Sequence, residues 1–189
     1  MKKIKLIALL LFVSIYCFGQ DEHLKFRNID ITGNVTEFVD KLKGLGYSVA
    51  LESDEAHILN GLFIGKECRI CVLITEKTKT VWGVGVFLPE NNAWTALQSE
   101  YKTIKEQLVK KYGQISNNIE IFHSPYFEGD GREMAALENN KCTYVSYWEI
   151  RTGTIMLKIS NNTLLISYYD KINTEKSENE KIEKIYDDL

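Results

Sequence analysis

Apolar residues recur along this chain with two different periods, and the places where the period changes mark its elements. Residues 24–31 alternate loosely, as a short strand does, and stop at Thr32-Gly33. Beyond Asn34, the residues Val35, Phe38, Val39, Leu42 and Leu45 step by three or four positions, which puts them on one stripe of a helix. Asn34 suits the N-cap, Glu37 completes a capping box, and Gly46 suits the position just past the end. Residues 47–51 then read as a strand, 53–60 as a polar stretch and 62–64 as a short strand. The run 68–75 is apolar and β-branched, 76–80 is a charged turn, and 81–88 is the partner strand, stopped by Pro89.

A second, longer helix opens at Asn92. Trp94, Leu97, Tyr101, Ile104, Leu108 and Tyr112 share one face of it. Lys110 and Lys111 occupy the last turn, where cations complement the helix dipole, and Gly113 closes it. Residues 119–122 form a strand and 124–131 a loop. A short helix over 132–138 follows, which Asp130 and Glu133 can cap reciprocally. Three strand-like runs come next, 142–150, 154–160 and 164–169, with turns at Gly153 and Asn161-Asn162.

This order predicts an α+β fold, with two helices packed on one face of an antiparallel sheet. It leaves room for a tandem αβββ pseudo-repeat. Each half runs helix, glycine, strand, cysteine-led strand, turn, strand, and Cys68 stands as far before Val81 as Cys142 before Ile155. The expected division is a signal peptide at 1–19, a single domain at 20–172, and a charged, partly mobile tail at 173–189. In that tail, Ile182, Ile185 and Leu189 give only a weak helical pattern.

The signal reading rests on Lys2, Lys3 and Lys5, the apolar run from Leu6 to Phe18, and the small Gly19. The run falls short of the about 20 apolar residues that span a bilayer. The chain is therefore expected to be exported, periplasmic or secreted, with its mature start near Gln20 and no transmembrane segment after cleavage. A lipid anchor on Cys17 would want a small residue before it, and Tyr16 is bulky.

Charge narrows the classes further. Removing the three signal lysines from 23 basic residues leaves 20 against 26 acidic ones. No basic stripe is present, which argues against nucleic acid and against a polybasic lipid contact. The histidines His23, His57 and His123 lack zinc-site spacing, and no Gly-x-Ser-x-Gly elbow occurs. Gly83 and Gly85 do not open a dinucleotide site, because Val86, Phe87 and Leu88 continue the strand. They predict instead the close approach of a helix, with Trp94 or Tyr101 filling the space. No catalytic residue, metal or cofactor is assigned.

The segment from Ser124 to Gly131 is the most unusual loop. Tyr126, Phe127, Glu128 and Asp130 are its candidate binding residues, since aromatics give large contact area at low entropy cost. The structural alternative has the aromatics plugging the sheet edge and Asp130 capping the short helix. Glu128, Asp130 and Glu133 lack EF-hand spacing. Export also makes a disulfide plausible. Cys68 and Cys71 lie roughly 10 Å apart on opposite faces of one strand. One of them is then left to pair with Cys142 or stay free, and Cys68 is expected to pair because it and Cys142 head the two matching cysteine-led strands, leaving Cys71 a buried free thiol.

Phe26-Arg27-Asn28-Ile29, Lys110-Lys111-Tyr112-Gly113, the stretch from Pro125 to Gly131, and Lys141-Cys142-Thr143-Tyr144 together resemble small secreted proteins of unknown function from anaerobic Gram-negative bacteria. The order of elements is similar to the beta-lactamase-inhibitor-protein-like architecture, which bears on fold alone. The expected function is that of an exported, non-enzymatic domain. It would bind a protein or cell-envelope component through an exposed sheet face or the Tyr126 loop. Two alternatives stand beside it: an envelope hydrolase with a dispersed site at His57, His123, Asp130 and Glu133, and a module carrying a small ligand in an apolar cavity.

Overall fold

The computed structural model describes residues 22–187 and 189. The signal assignment at 1–19, with Cys17, and the cut near Gln20 lie outside the described residues.

The described residues open with a hairpin of β1 (Lys25–Phe26) and β2 (Ile29–Asp30), not the single strand expected over 24–31. Arg27 and Asn28 between them have φ of 50° and 64°, the left-handed pair that a tight hairpin turn demands. Helix α1 (Val35–Gly44) follows, with the Asn34 side chain accepting from the Thr36 N–H at 2.8 Å. Its Val35, Phe38, Val39 and Leu42 are buried. Leu45, one step further along the expected stripe, is the C-cap and is 44% exposed.

Strands β3 (Ser48–Glu52), β4 (Ala56–Phe63), β5 (Lys66–Ile74) and β6 (Val81–Phe87) form an antiparallel meander. Helix α2 (Trp94–Tyr112) leads to β7 (Asn117–Phe122), the short α3 (Glu133–Glu138), and then β8 (Cys142–Ile150), β9 (Gly153–Ser160) and β10 (Thr163–Asp170). Helix α4 (Lys171–Asp187) continues straight from β10. The strand order is β3-β4-β5-β6-β10-β9-β8-β7, and every neighbouring pair is antiparallel. Two four-strand meanders thus meet through their last strands.

The α+β class and the large antiparallel sheet are present; besides the two long helices expected on one face, the described residues contain the short helix expected near 132–138 and a full helix α4 where a partly mobile tail was expected. The polar stretch at 53–60 turns out to belong largely to β4. That strand sits one place from the sheet edge, turning Leu59 and Phe63 into the core and Asn60 to solvent, and His57, Asn60 and Gly61 break up its apolar pattern. Counting strands inward from each edge matches β4 with β8 and β5 with β9. Cys68 on β5 and Cys142 on β8 are therefore not equivalent positions, although the αβββ alignment rested on them.

One face of the sheet carries the core. Leu59, Ile70, Val86, Ile166 and Leu157 form a continuous row across five adjacent strands, each at most 1% exposed. Phe38 and Leu42 of α1 and Leu97 and Tyr101 of α2 join the same buried cluster. Each fully buried side chain of this size contributes about 1.5–3 kcal/mol.

Gly83 and Gly85 do face one side together, but it is the other side. A Cβ on Gly83 would meet Tyr169 and Leu73 at 3.1 and 3.2 Å, and one on Gly85 would meet Leu165 at 3.5 Å. Side chains of the flanking strands fill the space, whereas Trp94 and Tyr101 lie in the core on the opposite face.

Candidate functional site

The loop from Ser124 to Gly131 is held largely by its own acids. Asp130 accepts hydrogen bonds from the backbone N–H of Arg132 at 2.8 Å and of Phe127 at 3.3 Å, and pairs with the Arg132 guanidinium at 3.0 Å. Burial would raise its carboxyl, but these bonds and the guanidinium charge hold it below the ordinary range. Glu133 accepts from the Gly129 N–H at 2.9 Å. Glu128 accepts from Gln98 Nε2 at 2.6 Å, which ties the loop to α2. Gln98 also donates to the Tyr144 hydroxyl at 3.2 Å. Burial and the nearby Glu128 and Glu120 push that phenol up to about 12, against the Gln98 bond.

Of the two loop aromatics, Tyr126 is half-buried against the core, with the Arg132 guanidinium 5.2 Å over its ring and Asn139 Nδ2 donating to its hydroxyl at 3.3 Å. Phe127 is 62% exposed. The loop thus offers solvent one aromatic ring on a braced support.

The dispersed hydrolase set is not brought together. His57 lies on β4 and His123 follows β7, six strand spacings away, roughly 29 Å. His57 Nδ1 is 3.8 Å from Glu52, beyond hydrogen-bond reach, and Asp130 and Glu133 are engaged by loop backbone. The histidine that meets a buried carboxylate is His23, whose Nδ1 is 3.1 Å from Asp170. Among the described residues, no group of three His, Cys, Asp or Glu side chains is placed to hold a metal ion.

The expected Cys68–Cys142 bridge is overturned. Both thiols are free, and β5 and β8 stand four strand spacings apart, roughly 19 Å against the about 7 Å that bridging allows. Cys71 is also free but only half-buried, on the face opposite the core. Burial raises all three thiols. Glu128 and Glu133 help to push Cys142 to about 12.

Two further surfaces, a sheet face and a cavity, were anticipated in kind but not placed on residues by the sequence. One is the sheet face away from the core. A single row across all eight strands reads Leu51, Ile58, Cys71, Gly85, Ser167, Met156, Tyr147 and Asn117. In the adjoining rows Leu73 and Tyr169 flank Gly83, and Phe87 lies beside Leu165. Leu51 is 56% exposed and Ile121, at the far edge, 45%. This face holds few charges, Arg69, Lys158 and Glu149 among them. The signal was in the chain. Cys71-Val72-Leu73-Ile74 and Leu164-Leu165-Ile166 are unbroken apolar runs, whereas a strand wetted on one face alternates.

The second surface is a cavity of ≈ 740 Å³ between α2 and the β4–β5 turn. Phe63, Ile104, Leu108, Ile166 and Tyr168 supply its apolar lining. Phe26 of the first hairpin braces that lining, stacked 5.7 Å from Phe63 and packed 5.3 Å from Tyr168. Lys66 at the start of β5 and Glu100 of α2 form an ion pair at the rim, and Lys111 also lines it. Among the described residues, no helix is long and apolar enough to cross a membrane.

Comparison with protein-family models, with curated proteins and with solved structures finds no match for this chain.

Proposed function

We propose that this chain is an exported, non-enzymatic binding domain whose uncovered sheet face docks on an apolar surface of a partner protein in the cell envelope. The observation that supports it most is the row from Leu51 to Tyr147, in which Leu51 is exposed and Ile58, Cys71, Met156 and Tyr147 are half-buried on either side of the buried Gly85 and Ser167, while the helices α1 and α2 bury their stripes on the other face. Half-exposed apolar side chains gathered on one face mark interaction sites. Export is the part carried by the basic and apolar segments before Gln20. The dispersed positions of His57 and His123 favour binding over hydrolysis.

The test uses two charge insertions on separate parts of the face, Ile58→Lys and Met156→Lys. Each is checked for native circular dichroism before capture from the envelope fraction. The expected result is one partner recovered by the parent chain and lost from both variants, with stoichiometric binding when that partner is purified. Capture that survives both substitutions overturns the face as the docking site. N-terminal sequencing that finds Met1 on the native protein overturns export.

A further inference from the structure

We infer that the cavity between α2 and the β4–β5 turn binds a single-chain aliphatic carboxylate, a ligand class distinct from the protein partner proposed for the opposite face. Its ≈ 740 Å³ lies within the range of small-molecule pockets. The lining formed by Ile104, Leu108, Ile166 and Tyr168 presents no charge, which suits an alkyl chain. Charge enters only at the rim, and there it selects the head group. Glu100, the one carboxylate of the lining, is neutralised by Lys66. Lys111 is the remaining cation. Its Nζ lies 5.0 Å from the Tyr112 ring, and no carboxylate pairs with it among the described residues. The lining therefore carries one net positive charge on a chain whose net charge is −3. An anionic head is attracted to that rim, and an ammonium head is repelled.

The mouth carries an independent sign of an apolar occupant. Ile64 lines the cavity, is 56% exposed, and has φ of 49°. Left-handed backbone disfavours a β-branched side chain, and asparagine or glycine is the usual choice at such a turn position. An isoleucine there weakens the turn and gains no burial in the free protein. It does place an apolar side chain where an alkyl chain would enter.

Titration of the full chain with cis-parinaric acid, a fluorescent long-chain carboxylate, tests the assignment. Saturable binding is expected, displaced by stearate and at least about tenfold less well by octadecylamine, a difference of about 1.4 kcal/mol. Thr103→Trp, which fills the cavity from an exposed position on α2, should abolish binding. Lys111→Glu should weaken it about tenfold. Ile64→Asn should raise the melting temperature yet lower affinity, an opposition that a purely structural role would not produce. Met156→Lys, on the other face, should leave binding unchanged, so failure here and failure of the docking face are read separately. Lack of saturable binding by the parent chain, equal displacement by the amine, or full affinity in Thr103→Trp overturns the assignment. So does binding seen only with anionic phospholipid vesicles, which would point to a membrane surface in place of a free carboxylate.

Discussion

Asp170 ends β10 and begins α4, and its carboxylate is fully buried. It accepts from the Asn173 N–H at 2.9 Å, in the manner of a helix N-cap, and from the Leu24 N–H at 2.8 Å, besides meeting His23. One side chain therefore fixes the start of the last helix and the entry of the first hairpin. Asp170→Ala would strand two buried N–H groups and should cost about 3 kcal/mol, seen in chemical denaturation. A loss below about 1 kcal/mol would show that water replaces the carboxylate. Opposite Asp170 in the ladder lies Gly153, with φ of 155°, where any Cβ would collide with the Tyr169 carbonyl oxygen. Gly153→Ala should destabilise by about 1–3 kcal/mol through forced backbone displacement. Unchanged stability would mean that the β9–β10 pairing can slide.

Among the elements, α4 departs most from the pattern of its residues, since its buried positions are Asn173, Ser177 and Glu180. Polar contacts dock it. Asn173 Nδ2 donates to the Ile31 carbonyl at 2.9 Å. Glu180 accepts from the Lys77 N–H at 2.7 Å and the Thr78 hydroxyl at 2.6 Å. Burial would raise the Glu180 carboxyl, but the Thr78 hydroxyl and the Lys77 and Thr78 amides more than offset it and leave it below its ordinary value. A depressed folded value means that the clamp contributes fully above the unfolded carboxylate range, about pH 4.3, and is lost as pH falls through the lower folded value. Hydrogen exchange at Lys77 and Thr78 should therefore accelerate as pH drops below about 4, once the intrinsic pH dependence is removed, and Glu180→Gln should flatten that response. An identical corrected profile in Glu180→Gln would end the proposed clamp. The Tyr126 loop divides in the same way between support and exposure. Phe127→Ala should change stability by no more than about 0.5 kcal/mol, while Tyr126→Ala removes packing against the core and should cost about 1–2 kcal/mol. Equal melting temperatures for the two variants would contradict the different burial of these rings.

For the whole molecule, the sheet separates two surfaces with different chemistry, a face without α1 and α2 whose apolar side chains are largely half-buried, and a helix-covered face that retains a cavity. Strand order keeps the three thiols apart, so all three should react with alkylating agent in the denatured, unreduced protein. A Cys68–Cys142 peptide in a non-reducing map would require a different strand order. Helix α1, helix α2 and most strands were legible because their periods are strong and their ends carry Asn34, Gly46 and Gly113. Strand β4 and helix α4 were not, since His57, Asn60 and Gly61 interrupt the alternation of β4, which its neighbours hold by ladder bonds, and polar clamps instead of an apolar stripe dock α4.

By itself the sequence determined helices α1 and α2, most of the strands and that the sheet is antiparallel, because side-chain periodicity and capping act within a few residues. It also determined the acidic balance that disfavours nucleic acid, and the spacing of the Ser124–Gly131 loop. Tertiary structure alone decided that β6 joins β10, and with it the separation of Cys68 from Cys142 and of His57 from His123. It decided that Gly83 and Gly85 look away from the helices, and that a cavity opens between α2 and a distant turn. These are contacts between residues far apart in the chain. Local patterns set which face of a strand is apolar, but the partner that covers that face is set by how the strands are ordered in space.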